Sequence, residues 1–201
     1  MTLNKNNTIM RNVKNCIQLD ATRKMKIKLD PAGNILYVNS YFTEVTNLKV
    51  HELILQDFNK ILDEDMPAFT IKKIMSNLSE KPKSYFILKG KTKDNNCFWG
   101  YVRATQEFKD NGELKGYLLE IKMLPFSAIE KISHLYEILK EIGNNAGLAA
   151  AEKYLDGYLE DRNMDLDSFI FNITDTNEKK VEKYFEIDVD AEPVKKKKSW
   201  F

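Results

Sequence analysis

Hydrophobic and polar positions first fall into a clear rhythm at "MKIKLDPAGNILYVN" (25–39). Met25, Ile27 and Leu29 alternate with lysines, the period of a strand with one buried face. Asp30-Pro31-Ala32-Gly33-Asn34 supplies turn residues, and "ILYVN" returns as a second strand, so the stretch predicts a hairpin. Short helical pieces follow. Asn39 or Ser40 caps the first, which carries Phe42 and Val45, and two more fall near 49–54 and 57–62. In "DMPAFTIKKIMSNLSEKP" (65–82) the residues Ile71, Ile74, Met75 and Leu78 make one apolar stripe, which predicts a helix over 67–79. Asp65 is placed to accept from its first N–H groups, and Pro67 is tolerated in its first turn.

Three strand patterns come next, at 84–92, 97–108 and 114–124, separated by the turns "DNN" (94–96) and "KDNGE" (109–113). At Pro125 the period changes. Ala128, Ile132, Leu135, Leu139 and Ile142 form a helical seam two heptads long, ended by Gly143-Asn144-Asn145. Such a seam is short for an isolated coiled coil, so it packs either on a partner helix as a dimer interface or on the preceding sheet. Further helices are predicted from 147 (Leu148, Ala151, Leu155, Tyr158), from a cap at Asp165 (Leu166, Phe169, Ile170, Ile173), and over 177–186. At the N-terminus Ile9, Met10, Val13 and Ile17 have helical spacing.

Composition narrows the function classes. With 31 basic and 30 acidic side chains the net charge is +1, which argues against an electrostatic nucleic-acid binder. No stretch approaches the roughly 18 apolar residues of a membrane span, and the polar N-terminus lacks a signal-peptide core, so a soluble cytoplasmic protein is expected. Cys16 and Cys97 are far apart and form no CxxC or metal-binding pattern. Two thiols in a reducing compartment are expected, with a disulfide as the alternative. No phosphate-binding glycine loop, nucleophile elbow, HExxH or kinase signature is present, so no enzymatic activity is expected. The carboxylates Asp63 and Asp65 are not set around a catalytic pocket.

The ordered set "GNILYVNSYFTEVTN" (33–47), "DMP" (65–67), "EKP" (80–82), "FW" (98–99) and "NGELKGYLLEIK" (111–122) resembles the PAS family. More narrowly, it resembles the PAS domains of bacterial aerotaxis and energy-taxis receptors. "AIEKISHLYEIL" (128–139) is similar to the segment that follows such domains. The resemblance implies an α+β PAS fold: a five-stranded antiparallel sheet with short helices on one face, here followed by a helical C-terminal extension. It divides the chain into a partly helical segment 1–24, a PAS sensor domain 25–124, a helical extension 125–186 and a disordered basic tail 187–201.

The resemblance also implies noncovalent FAD between the sheet and the 67–79 helix. The residues it carries over are Asn39, Phe42, Asp65, Pro67 and Trp99, with Arg103 standing where a polar Asn is often found. Leu62-Asp63 and Lys83 depart from the family's Arg-His and Trp at these places. The implied role is redox or energy-taxis sensing, signalled in trans to a chemoreceptor-type transducer or another PAS protein, through a homodimer or heterodimer. A cofactor-free interaction or dimerisation module is the alternative.

Each residue has a plainer reading. Trp99 could be a core aromatic, Asn39 a helix cap, and Arg103 the partner of a carboxylate on an adjacent strand. His51 and His134 are the only histidines; some PAS domains bind haem through one histidine, and neither of these is placed for a pocket. The tail "KKKKSWF" (195–201) is read as solvated, with an anionic lipid or acidic partner as the alternative.

Overall fold

A computed structural model of the chain describes residues 16–190. The expected N-terminal helix around Ile9, Met10 and Val13 and the basic run at 195–198 lie outside these residues. So do the side chains of Ile71 and Met75. Ile17 belongs to a strand instead.

Six strands make one sheet: β1 (Cys16–Ile17), β2 (Met25–Leu29), β3 (Ile35–Val38), β4 (Lys83–Lys91), β5 (Cys97–Phe108) and β6 (Leu114–Met123). β2 to β6 pair antiparallel in the order β4-β5-β6-β2-β3. The sheet is mixed, not purely antiparallel, because β1 pairs parallel with β5 at Cys97 and Phe98. It uses the edge left free where β6 ends opposite Gly100.

That pairing joins Cys16 to Cys97 in a disulfide, with their Cα atoms 4.3 Å apart. Two separate thiols were expected. The contact is set by a parallel pairing between distant segments, which no local pattern in the sequence encodes.

Between β3 and β4 run α1 (Ser40–Thr46), α2 (Val50–Leu53), a 3-10 turn (Phe58–Ile61) and α3 (Thr70–Glu80). After β6 come α4 (Phe126–Ala146), α5 (Leu148–Glu160), α6 (Leu166–Ile173) and α7 (Glu178–Glu186). Asp165 and Asn177 cap α6 and α7 by accepting from Ser168 N and Lys180 N. Asp65 does not cap α3. That helix starts five residues later, without a side-chain cap. α4 runs past Gly143 and stops at Gly147, whose φ of 89° no β-carbon-bearing residue adopts cheaply.

Two cores lie on opposite faces of the sheet. The inner core joins Met25, Ile27, Leu29, Phe86, Phe98, Val102 and Ile121 to Phe42, Leu53, Phe58, Ile74 and Leu78 from the first helices. The outer core joins Tyr85, Ile87, Trp99 and Tyr101 to Met66, Phe69 and the apolar sides of α4–α7. β4 and β5 are therefore covered on both faces. This is why "YFIL" (85–88) and "CFWGYV" (97–102) read as unbroken apolar runs rather than alternating ones.

Candidate functional site: the junction of the sheet with the C-terminal helices

β4 is an edge strand, and an exposed edge offers unpaired N–H and C=O groups to other chains. Here several of them are satisfied within the chain. Asp167 at the start of α6 accepts from Tyr85 N at 2.8 Å and from Ser84 Oγ at 3.0 Å. Tyr136 in α4 donates its hydroxyl to Ile87 O at 2.7 Å. Asp63 N donates to Lys89 O at 3.0 Å, beside a bridge between Leu62 and Gly90. The acidic turn thus seals the edge and then crosses to the outer face, where Met66 and Phe69 join the outer core.

Two charge clusters tie this face to the helices. In the first, Lys89 projects from β4 with only 5% of its side chain exposed. It pairs with Asp63 at 3.1 Å and with Asp65 at 2.6 Å. The other Asp65 oxygen meets Lys140 of α4 at 2.7 Å. Burial pushes the Asp65 carboxyl up, but the Lys140 and Lys89 ammonium groups outweigh it and hold its pKa below the ordinary carboxylate value.

Trp99 stands beside this cluster. Its ring lies 6.1 Å from Tyr136 in a stacked arrangement and 5.7 Å from the Lys89 ammonium. The buried Trp99 Nε1–H finds no acceptor among the described residues. A cavity of about 50 Å³ lies here, lined by Asp65, Lys89, Trp99, Ser133, Tyr136 and Lys140 among others.

The second cluster centres on Arg103 of β5. It pairs with Glu120, directly opposite on β6, and reaches Glu182 of α7 at 2.7 Å. Glu182 also receives the Tyr85 hydroxyl and Lys83, the latter at 2.9 Å. Burial alone would raise the Glu182 pKa, but the Tyr85 hydrogen bond with Lys83 and Arg103 lowers it. Glu120 continues the network to Lys24 at 2.7 Å, and Lys24 donates to Phe185 O at 2.6 Å. Lys26 pairs with Asp188 at 2.8 Å. Lys122, fully buried, donates to Ile187 O at 2.6 Å, and burial lowers its pKa.

The six residues expected to share a flavin do not share a face. Phe42 is fully buried in the inner core. Asn39 caps α1 by accepting from Phe42 N at 3.3 Å and binds the β2 backbone through Lys26 N, at 2.9 Å. Its amide nitrogen donates to Lys24 O at 2.9 Å. Trp99 and Arg103 point to the outer face, and Asp65 is held there between two lysines. Pro67 is buried in the turn that leads to α3. Alternation along β5 explains the split: Phe98, Val102 and Ala104 face inward, so Trp99, Tyr101 and Arg103 face out. As a set these residues do not fit FAD.

The two histidines are both exposed and neither enters a core. Among the described residues no group of three or more His, Cys, Asp or Glu is placed to hold a metal ion, and no helix is long and apolar enough to cross a membrane.

Residue-by-residue reading missed Lys89, Tyr136, Lys140, Asp167 and Glu182. A signal existed for Lys89 alone: a lysine inside the long strand pattern 84–92, directly after an apolar run. The helix residues carry no mark, because their partners lie 49 to 99 positions away.

Residues 25–122 match the family model of the PAS domain. Among solved structures the chain is similar to the PAS domain of a protein from Colwellia psychrerythraea, at 15% identity and a TM-score of 0.47, over 50% of this chain and 86% of that one. It is also similar to the light-state LOV domain of the blue-light photoreceptor Aureochrome1, at 12% identity and a TM-score of 0.48, over 55% and 88%. A third is a light-oxygen-voltage domain studied with a flavin analogue, at 15% and 0.49, over 57% and 87%. No curated protein matches the chain.

Proposed function

Because residues 25–122 match the family model of the PAS domain, we propose that this chain is a sensory and signal-transducing protein whose signal leaves through the outer face of the sheet into α4–α7. The observation that carries this reading is the Lys89–Asp65–Lys140 bridge. It links the sheet, the turn before α3 and the longest helix through one carboxylate. A shift of α3 on the inner face would move that turn, and with it the anchor of α4.

FAD, redox or energy-taxis sensing, and a chemoreceptor-type partner draw their support from the sequence resemblance. If FAD is bound, residues other than Asp65, Trp99 and Arg103 must hold it, on the inner face. The interaction-module reading gains from the inner core's own filling, where Phe42, Phe58, Phe86 and Phe98 are each at most 2% exposed. We therefore rank it first as the state of the inner face.

The test begins with the absorption spectrum of the purified chain, before and after incubation with FAD. A colourless protein supports the module. Flavin bands that persist in Trp99→Ala would place FAD on the inner face and reverse the ranking. For the output, Asp65→Asn is compared with wild type by hydrogen exchange. Faster exchange along α4 is expected, and unchanged exchange there would refute the bridge as a route.

A further inference from the structure

The chain has two cysteines in 201 residues, and the fold brings them together. Their bond sits at a rim. Among the described residues β1 contributes the pairs Cys16–Cys97 and Ile17–Phe98 to the sheet. The other five strands pair with one another without it. Short elements with few backbone bonds open locally at low cost. The next buried anchor after Cys16 is Leu19, in the inner core.

The two sulfurs differ in setting. Cys16 is partly exposed, whereas Cys97 is buried at 8% exposure. Lys91 lies directly opposite Cys97 on β4. Residues paired this way have Cβ atoms roughly 4.5–5.5 Å apart. A neighbouring ammonium lowers a thiol's pKa, which makes it the better leaving group in thiol–disulfide exchange.

We propose that Cys16–Cys97 is a redox-active pair that clasps β1 to β5, independent of whatever the inner face holds. A small-molecule thiolate attacks the sulfur of Cys16, the more exposed residue of the pair. The Cys16–Cys97 bond breaks, a mixed disulfide forms on Cys16, and Cys97 departs as a thiolate beside Lys91. A second thiolate then attacks the sulfur of the small molecule in that mixed disulfide. This releases Cys16 as a thiolate and the small molecule as its own disulfide. The protein gains two electrons and the two thiols lose them. With the covalent tie gone, the parallel pairing of β1 with β5 loosens, and the β5 edge at 97–98 opens. In the reverse direction a small-molecule disulfide is the oxidant.

The full chain is equilibrated in glutathione buffers of graded ratio, trapped by alkylation, and weighed. The expected result is a passage from disulfide to dithiol within the range that cells maintain, since accessible disulfides are the labile ones. Hydrogen exchange is read on the same samples. Amides of 16–18 and 97–98 are expected to exchange at least tenfold faster in the reduced form, while those of β6 stay protected. A pair that remains oxidised at every ratio is a structural crosslink and overturns the proposal. Full reduction with unchanged exchange at 97–98 overturns the clasp. Cys16→Ser serves as a second route to the open form, and should reproduce the faster exchange under oxidising conditions.

Discussion

At the scale of single residues, one carboxylate does two structural jobs. Asp65 accepts from Lys89 and Lys140 together, and its pKa is held down by both. A carboxylate with a depressed folded-state pKa contributes stability in full above its unfolded pKa and loses it as pH falls through the folded value. Asp165, which partial burial would raise, is held at about 2 by its Ser168 hydrogen bonds and then by Lys81, and acts in the same direction. Stability is therefore expected to fall as the pH drops from about 4 toward 2. Asp65→Asn should flatten that limb and cost about 1–3 kcal/mol near neutral pH, because Lys140 loses its partner and Lys89 keeps only Asp63. Urea unfolding across this range checks both, and an identical acid limb in the variant would remove Asp65 from the account. Lys91→Gln should slow reduction of the disulfide by roughly threefold or more if the lysine favours the departing Cys97 thiolate.

Elements here are fitted by glycines at two close approaches. The Phe98 ring lies against the Gly90 backbone, where a Cβ would enter the ring. Gly116 has a φ of 151° and faces the Leu29 carbonyl across the β2–β6 pair. Gly90→Ala displaces a side chain and should cost about 1–3 kcal/mol. Gly116→Ala meets backbone, which cannot swing away, and should lower the thermal midpoint further. Equal midpoints would mean that the strands give more easily than their pairing implies. α7 is joined to the sheet through Glu182, which gathers Tyr85, Lys83 and Arg103. Glu182→Gln leaves Arg103 with Glu120 alone, so exchange should rise in α7 and not in α1.

For the whole molecule, the C-terminal helices complete the fold rather than merely follow it. They cover Tyr85, Ile87, Trp99 and Tyr101, and they satisfy part of the β4 edge. A chain ended at 124 would expose this aromatic face and edge together. Such surfaces associate, so light scattering should show self-association, whereas a monodisperse monomer would argue that the face tolerates water. Reducing the disulfide lifts a constraint on the unfolded chain across a separation of 81 residues. That is worth about 4.5 kcal/mol in the chain-entropy account, or a fall in Tm of roughly 10–20 °C.

The strands at 25–29, 97–108 and 114–123, the Asp165 and Asn177 helix starts and the α4 seam were all legible along the chain, because period, turn chemistry and capping act between near neighbours. So was the pairing of Arg103 with a strand carboxylate as one of its two readings. The seam 128–142 was open between a dimer interface and the sheet, and in the fold its residues Ala128, Ile132, Leu135 and Leu139 are buried in the outer core against the sheet. The sequence could also group Asn39, Phe42, Asp65, Trp99 and Arg103 by family position. It could not separate them, because the face a strand residue takes depends on register against its neighbours. Only the tertiary structure put Trp99 beneath Tyr136, Asp65 between two lysines, and Cys16 on Cys97. Each of these contacts closes a long loop, and it is the packed sheet, not the local pattern, that brings such ends together.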